Sequence, residues 1–174
     1  QHPDWPQVIR PLRLALPKFG WTTYSIELPD AAQQAGDKHY AGLLDQATAH
    51  IVAAQGQLQD MDARRIVIIA YGLGARMAVD WLSKTPQSSV SALVLISMAD
   101  GESNSGIDSN QDLLKIKIPV LDIYAEHDAV KVLKAAKERS RQREKMSAYR
   151  QLEIFAADPY YSRQEDELIK RIRG

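Results

Sequence analysis

"IVIIAYGLGARMA", residues 66–78, decides how the rest of this sequence is organised. Branched apolar residues run from Ile66 to Ile69, and the run ends at the Gly-x-Gly of residues 72–74, ahead of helix-favouring sequence. A short continuous apolar run bounded by a turn is typical of a strand that is buried on both faces, as in parallel sheets. The stretch therefore predicts a strand, a sharp glycine turn and a helix.

The glycine turn has three interpretations. In the nucleophile elbow, G-x-S-x-G, a serine sits at a strained turn between small residues. Here glycine replaces that serine, because the five positions are Ala70, Tyr71, Gly72, Leu73 and Gly74. A dinucleotide-binding loop needs a third small residue where Met77 stands, and Asp100 lies somewhat too far along the chain for the ribose-binding acid. A plain structural turn is the third interpretation.

Strand-like and helix-like segments alternate along the whole chain. The predicted strands are 22–28, 64–71, 91–97, 118–125 and 149–156, the last being the most polar and so the nearest to an edge. The predicted helices are 5–19, 38–58, 74–85, 128–146 and 162–173. Pro11 is expected to bend or split the first helix, and Ser162 with Glu165 predicts a capping box for the last. Residues 99–112 are polar and predict a surface loop.

This alternation predicts one domain, residues 1–174, of the α/β class. We expect three layers, α/β/α, around a mainly parallel sheet. Composition agrees with a globular protein, since 45% of the 174 residues are hydrophobic and 25% are charged. Lys+Arg and Asp+Glu are both 22, which argues against attraction to bulk nucleic acid or membrane. No apolar run approaches the roughly 18 residues of a transmembrane helix.

Metal and thiol chemistry find no support in the sequence. Cysteine is absent, which excludes disulfides, thiol catalysis and cysteine-based zinc sites. The four histidines are dispersed, with no HxH or HExxH spacing. We therefore predict no metal and no cofactor.

Asp128 follows the predicted strand 118–125, at the sheet edge where open α/β sheets bind ligands. Asp128 has two compatible interpretations: the acid of a Ser-His-Asp triad, or an N-cap for a helix starting near Ala129. His127 is adjacent in sequence, so its side chain should diverge from Asp128. Ser25 and Ser97 end other strands, but neither has a histidine in an obvious position to activate it.

Residues 131–150 form the most basic part of the chain. Eight Lys and Arg residues against Glu138 and Glu144 leave a charge of +6. A solvated helix face is one interpretation, and a surface for an acidic partner, centred on Lys134, Arg141 and Lys145, is the other. No aromatic residue lies within 131–148, which weakens the case for single-stranded nucleic acid.

Taken together, these segments resemble an α/β-hydrolase chain from the strand before the elbow to the last helix. The sequence is most similar to a bacterial subgroup of α/β-hydrolase-like proteins, domain of unknown function 3530. The resembling stretches are "HPDWP" (2–6), "LPKFGWTTYSIELPD" (16–30), "GLGARMA" (72–78), "IPVLDIY" (118–124), "AYRQLEIFA" (148–156) and "ELIKRIRG" (167–174). The resemblance implies a hydrolase-like sheet and an exported, periplasmic protein, without an assigned activity.

The resemblance also shows which catalytic positions are degenerate. Gly72 stands at the position of the nucleophile, and Pro159 stands at the position of the base, after the last strand. Only the position of the acid keeps the expected residue type, Asp128. Losing one triad member costs several orders of magnitude in rate, and here two are gone. A catalytically inactive domain that binds a ligand or a protein is therefore the leading interpretation, and whether the chain is an enzyme stays open, leaning towards no.

The expected ligand crevice lies above Gly72 and is lined by Tyr71, Leu73, Ser97, Asp128, Tyr160 and Tyr161. One alternative is a hydrolase or esterase with non-standard catalytic residues around Asp128, in which Asp128 or Asp158 acts as a general base. The other alternative is a partner-binding module that acts through the basic helix 129–146.

In the hydrolase fold, one inner strand lies between the strands seen here as 22–28 and 64–71. "QHPDWPQVI" resembles the sequence just after that strand, so the strand is expected upstream of Gln1. We therefore expect the chain to be the C-terminal major part of a longer protein, lacking its N-terminal strands. The place of that inner strand in the sheet would be filled by another segment or chain, or the remaining strands would pair differently.

Overall fold

The computed structural model describes residues 3–29, 37–100, 108–146 and 148–174 of the chain. Its described part is built on a parallel four-stranded sheet with the order β1-β2-β3-β4. The strands are β1 (Ile66–Tyr71), β2 (Val90–Ile96), β3 (Val120–Ala125) and β4 (Tyr149–Ile154). The helices are α1 (Ile9–Ala15), α2 (Asp37–Asp60), α3 (Leu73–Lys84), α4 (Ser109–Leu113), α5 (Val130–Arg141) and α6 (Glu165–Arg173).

Helices cover both faces of this sheet, as the alternating pattern predicted. On one face, Ala78 and Trp81 of α3 belong to a buried cluster with Leu93 and Leu95 of β2. The opposite face carries a second cluster from α1, α6 and the sheet, including Leu12, Leu168, Val94 and Ile123. The fold is therefore the expected three-layer α/β/α arrangement. The polar strand β4 lies at an edge of the described sheet, also as expected.

The expected strand at 22–28 is wrong, because residues 21–29 contain no strand or helix. This segment is held by helix side chains and loop backbone instead. His50 Nδ1 of α2 lies 2.6 Å from the Glu27 carbonyl oxygen, and the hydroxyl of Tyr24 donates to Gln57 Oε1. No hydrogen bond between described residues joins its backbone to β1. A strand needs a paired neighbour, and none of the described strands pairs with this segment.

Two predictions about helix ends are also wrong. Pro11 lies in the first turn of α1, where a missing N–H costs nothing, and the helix breaks at Leu16, where a 3-10 turn containing Pro17 follows. The last helix begins at Glu165 without a side-chain cap, so no capping box forms. The Ser162 amide donates to Asp158 instead. Part of the expected surface loop forms α4, and its residues 101–107 lie outside the described residues.

A buried charged group fastens α5 to the sheet. Arg139 and Asp122 are both fully buried, and Arg139 Nε donates to Asp122 Oδ2 at 2.7 Å while its Nη2 donates to Oδ1 at 3.2 Å. Tyr149 and Gln151 of β4 also donate to this carboxylate. Arg139 is one of the eight basic residues of 131–150. Because it is buried, fewer of those positive charges lie at the surface than the sequence indicates.

Candidate functional site

Gly72 forms the expected sharp turn between β1 and α3. It is the N-cap of α3, with φ 56° and ψ −118°, a conformation that strains any residue with a Cβ. Its amide donates to the Ile96 carbonyl at 2.8 Å, which locks the turn against the end of β2. The backbone therefore has the strained strand–turn–helix form of a nucleophile elbow, with no side chain at the position of the nucleophile.

Ser97 lies beside this turn, immediately after β2. It has a positive φ of 50° and is only 5% exposed. Its hydroxyl donates to Asp128 Oδ2 at 2.5 Å, and its Oγ lies 2.9 Å from the Tyr161 hydroxyl. Because a serine has one hydroxyl proton, the Tyr161 hydroxyl is the donor to Ser97. The result is a buried chain of hydrogen bonds that ends at Asp128.

The Asp128 carboxylate is held on both oxygens. Besides the Ser97 hydroxyl, Oδ2 accepts the Ala125 amide at 3.2 Å, and Oδ1 accepts the Ala129 amide at 2.9 Å. The expectation that Asp128 is an N-cap is wrong by one residue, since α5 begins at Val130 with Ala129 at its N-cap. Asp128 therefore stabilises the turn between β3 and α5 and orients Ser97.

His127 diverges from Asp128, as expected. Its side chain is 68% exposed and lies 4.0 Å from Glu126, whereas Asp128 is 7% exposed. No histidine of the described residues is hydrogen-bonded to Asp128. The Asp128 carboxylate therefore serves a serine and two backbone amides.

The loop after β4 packs against the glycine turn through Tyr71. The Tyr71 hydroxyl donates to the Pro159 carbonyl at 2.9 Å. Asp158 shapes the same loop, because its Oδ1 accepts the amides of Tyr160 and Ser162, both at 2.9 Å. The structure thus brings the segments of Gly72, Asp128 and Pro159 to one edge of the sheet.

Burial sets the ionisation of the tyrosines in this region. Burial, with the nearby Asp128 carboxylate adding to it, raises the pKa of Tyr71 to about 12. Burial likewise raises the pKa of Tyr161. Desolvation opposes the shift at Asp158, but hydrogen bonds from Ser162 and Tyr160 lower the pKa of that carboxyl. Because their pKa values are raised, Tyr71 and Tyr161 are both neutral hydrogen-bond donors at physiological pH.

The six residues expected to line a ligand crevice fall into two groups. Ser97, Asp128 and Tyr161 are buried and bonded to one another, and Tyr161 is fully buried. Tyr160 is 45% exposed at the surface of the loop. Tyr71 and Leu73 line an apolar groove that runs along β1.

No three histidine, aspartate or glutamate side chains in the described ranges are arranged to hold a metal ion. None of the helices described here combines the length and the apolar character that crossing a membrane requires.

The family can be assigned from the sequence. The family described as "Protein of unknown function (DUF3530)" matches residues 1–42 and 37–174. The chain belongs to the DUF3530 family. No curated protein matches it significantly.

Solved structures with similar folds are α/β hydrolases. Est1E from Butyrivibrio proteoclasticus, solved with ferulic acid, has a TM-score of 0.76 at 11% identity, covering 99% of this chain and 82% of that one. A serine hydrolase homologue from Coxiella burnetii has a TM-score of 0.69 at 12% identity, covering 98% and 76%. A predicted CIB-like hydrolase from Thermoplasma acidophilum reaches 0.64 at 17% identity, covering 97% and 80%. This DUF3530 chain therefore has an α/β-hydrolase-like fold.

Proposed function

We propose that this DUF3530 domain is a catalytically inactive relative of the α/β hydrolases that acts by binding. One observation carries the proposal: the Asp128 carboxylate, at the position of a triad acid, accepts its hydrogen bonds from Ser97 and two backbone amides, and no histidine of the described residues is bonded to it. A triad acid acts by accepting a hydrogen bond from the histidine that it orients. Gly72 and Pro159 supply neither a nucleophile nor a base.

Hydrolysis of short-chain p-nitrophenyl esters and labelling by a fluorophosphonate serine probe test this proposal. The wild-type protein should show no turnover above the buffer rate and no labelling above that of a denatured sample. Gly72→Ser with Pro159→His should introduce fluorophosphonate labelling if the turn keeps elbow geometry. Ester turnover by the wild type that is lost in folded Asp128→Asn, but kept in the exposed control Asp45→Asn, would overturn the proposal.

A hydrolase with displaced catalytic residues is the second candidate, and the geometry of Ser97 is the observation that favours it. Ser97 has a strained backbone and a 2.5 Å hydrogen bond to a carboxylate at the carboxyl end of a strand. Against it, the serine is buried and bonded to no base other than that carboxylate. Labelling of the wild type that disappears in Ser97→Ala, with the circular dichroism spectrum unchanged, would establish this candidate in place of the first.

The basic surface of α5 is the candidate binding surface. Lys131, Lys134, Lys137 and Arg141 are exposed on α5, and Lys145 is exposed just beyond it. Retention on a heparin column measures whether this surface binds a polyanion. Charge reversal to Glu at Lys134, Arg141 and Lys145 should lower the eluting salt concentration. The matched control reverses the same number of exposed charges elsewhere, at Lys18, Arg64 and Lys117. Equal losses in both variants would count against a local surface.

Export to the periplasm, implied by the family resemblance, belongs to the same proposal. Cell fractionation of the natural host would test it, and recovery with the cytoplasmic markers would contradict it.

A further inference from the structure

A separate cleft lies on the face of the sheet that α6 covers, towards the amino ends of the strands. It has a volume of about 780 Å³, and three aliphatic side chains of the sheet, Val67, Val94 and Leu121, form its floor. Its walls come from Trp21, from the end of α6 and from the segment between α5 and β4. None of the described residues at the carboxyl ends of the strands lines it. The cleft is therefore distinct from the candidate site around Gly72.

The aliphatic floor of this cleft ends at a cation. Val94 is paired in register with Leu121, and Leu121 is paired with Arg150. Paired residues of neighbouring parallel strands point to the same face, so these three side chains form one row across β2, β3 and β4. Val67 extends the row to β1, because it lies two residues before Ile69, the partner of Val94. Three inter-strand spacings, about 14 Å in total, separate the β1 end of the row from Arg150.

Positive charge dominates the polar side chains of the cleft. Arg143, Arg150 and Arg171 line it, against the single acidic residue Glu144. Arg171 is already paired, since its Nε lies 2.7 Å from Glu167 Oε1. Arg143 and Arg150 are exposed, and neither forms an ion pair with another residue of the described ranges. A guanidinium can bind both oxygens of a carboxylate, so an arginine at the end of an apolar row suits an aliphatic acid.

We propose that this cleft binds an aliphatic monocarboxylate, with its chain along the row from Val67 to Leu121 and its carboxylate at Arg150. An extended chain advances about 3.4 Å for every three single bonds, as in the polypeptide backbone, so about 14 Å corresponds to about twelve bonds. That is the length of dodecanoate. Burial of the chain supplies affinity, and the arginine fixes its direction. The site is independent of whether the domain is catalytically active, because it contains none of the triad positions.

Isothermal titration calorimetry with a series of fatty acids, each below its micelle-forming concentration, tests the proposal. Octanoate, decanoate and dodecanoate should bind one per chain, with affinity rising about two- to fourfold for each added CH₂. Tetradecanoate should gain little more, because the row ends. Dodecanol, which has the same chain without the charge, should bind about tenfold more weakly than dodecanoate. Absence of saturable dodecanoate binding, or equal binding of dodecanol, would overturn the proposal.

Substitution of Arg150 tests the carboxylate end of the site. Arg150→Gln should weaken dodecanoate binding about tenfold and leave dodecanol binding unchanged, because only the charged head loses its partner. The matched control is Arg163→Gln, at an exposed arginine in the loop after the carboxyl end of β4. It should change dodecanoate affinity by about twofold or less. Equal losses in the two variants, or a parallel loss of dodecanol binding in Arg150→Gln, would overturn the role of Arg150.

Amide chemical shifts locate the bound chain. Saturating dodecanoate should shift the amide signals of Val67, Val94 and Leu121, which lie under the proposed position of the chain. The signals of Gly72 and Ser97, at the carboxyl ends of the strands, should stay unchanged. Any other pattern, including shifts confined to Gly72 and Ser97, would overturn the assigned site. Ester hydrolysis and fluorophosphonate labelling report on catalysis alone, so failure of this proposal is distinguishable from failure of the proposed function.

Discussion

Two buried carboxylates on or just after β3 are satisfied in different ways. Asp122, in the middle of the strand, faces the guanidinium of Arg139 and receives further hydrogen bonds from β4. Asp128, at the end of the strand, is held by a serine hydroxyl and two backbone amides, with no cation bonded to it. Asp122 fastens a helix to the sheet through a charge pair. Asp128 shapes a turn through neutral donors, at the sheet edge where related folds carry out chemistry.

Replacing Arg139, the cation beside Asp122, should have the largest effect on the free energy of unfolding. Arg139→Met leaves the Asp122 carboxylate buried without its charged partner, which costs about 3–5 kcal/mol of unfolding free energy. Urea denaturation followed by circular dichroism measures the loss. The exposed neighbour Arg141→Met is the matched control and should change stability by about 0.5 kcal/mol or less. A loss at Arg139 no larger than the control's would mean that the pair contributes little beyond packing.

Removing the Ser97 hydroxyl beside Asp128 should have an intermediate effect on the free energy of unfolding. Ser97→Ala takes one donor from Asp128 and the acceptor from the Tyr161 hydroxyl, which costs about 1–3 kcal/mol. The exposed Ser140→Ala serves as the control in the same urea experiment. A cycle with Tyr161→Phe should show that the two losses are not additive, because both variants break the same chain of hydrogen bonds. Additive losses would contradict that chain.

Removing the Tyr71 hydroxyl should have the smallest effect at neutral pH, about 0.5–1.5 kcal/mol for one hydrogen bond to the Pro159 carbonyl. The effect depends on pH, because burial in the folded protein raises the pKa of Tyr71 to about 12, above the ordinary tyrosine value of 10.0. Between these values the unfolded chain loses the proton first, so Tyr71 makes stability fall as pH rises. Tyr71→Phe removes that contribution.

Urea midpoints measured from pH 9 to 11 check this prediction. The difference between the wild type and Tyr71→Phe should narrow as pH rises. A constant difference would mean that Tyr71 titrates alike in the folded and unfolded chains. The buried Tyr149 and Tyr161 also have raised pKa values, and they contribute equally to both proteins being compared.

The alternation of strands and helices, the layers and the glycine turn could be predicted from the sequence, because apolar runs and turn residues act locally. The burial of Arg139 was not predicted, although the sequence contains a signal for it. It lies three or four residues after Ala135 and Ala136, on the buried stripe of α5, and Asp122 interrupts an apolar strand. A charge at such positions predicts a buried partner. The positions of Arg139 and Asp122 together therefore indicate a buried ion pair.

The strand expected at 22–28 could not have been rejected from its sequence. Its residues favour a strand, but a strand is stable only when a neighbour accepts its backbone hydrogen bonds, and that neighbour is distant in sequence. The link between Ser97 and Tyr161 has the same origin, since 64 residues separate the two hydroxyls. Neither the serine at position 97 nor the tyrosine at position 161 indicates, from its own sequence context, that the two hydroxyls are hydrogen-bonded.

By itself, the sequence determined the α/β alternation, the empty nucleophile position at Gly72 and the proline at position 159. These properties follow from residue identity and short-range pattern. Tertiary structure alone decided that Asp128 is engaged by Ser97, that Arg139 is buried, and that β1 pairs with β2 alone among the described strands. Each of these depends on which distant segments meet, because hydrogen bonds and burial are set by neighbours in space.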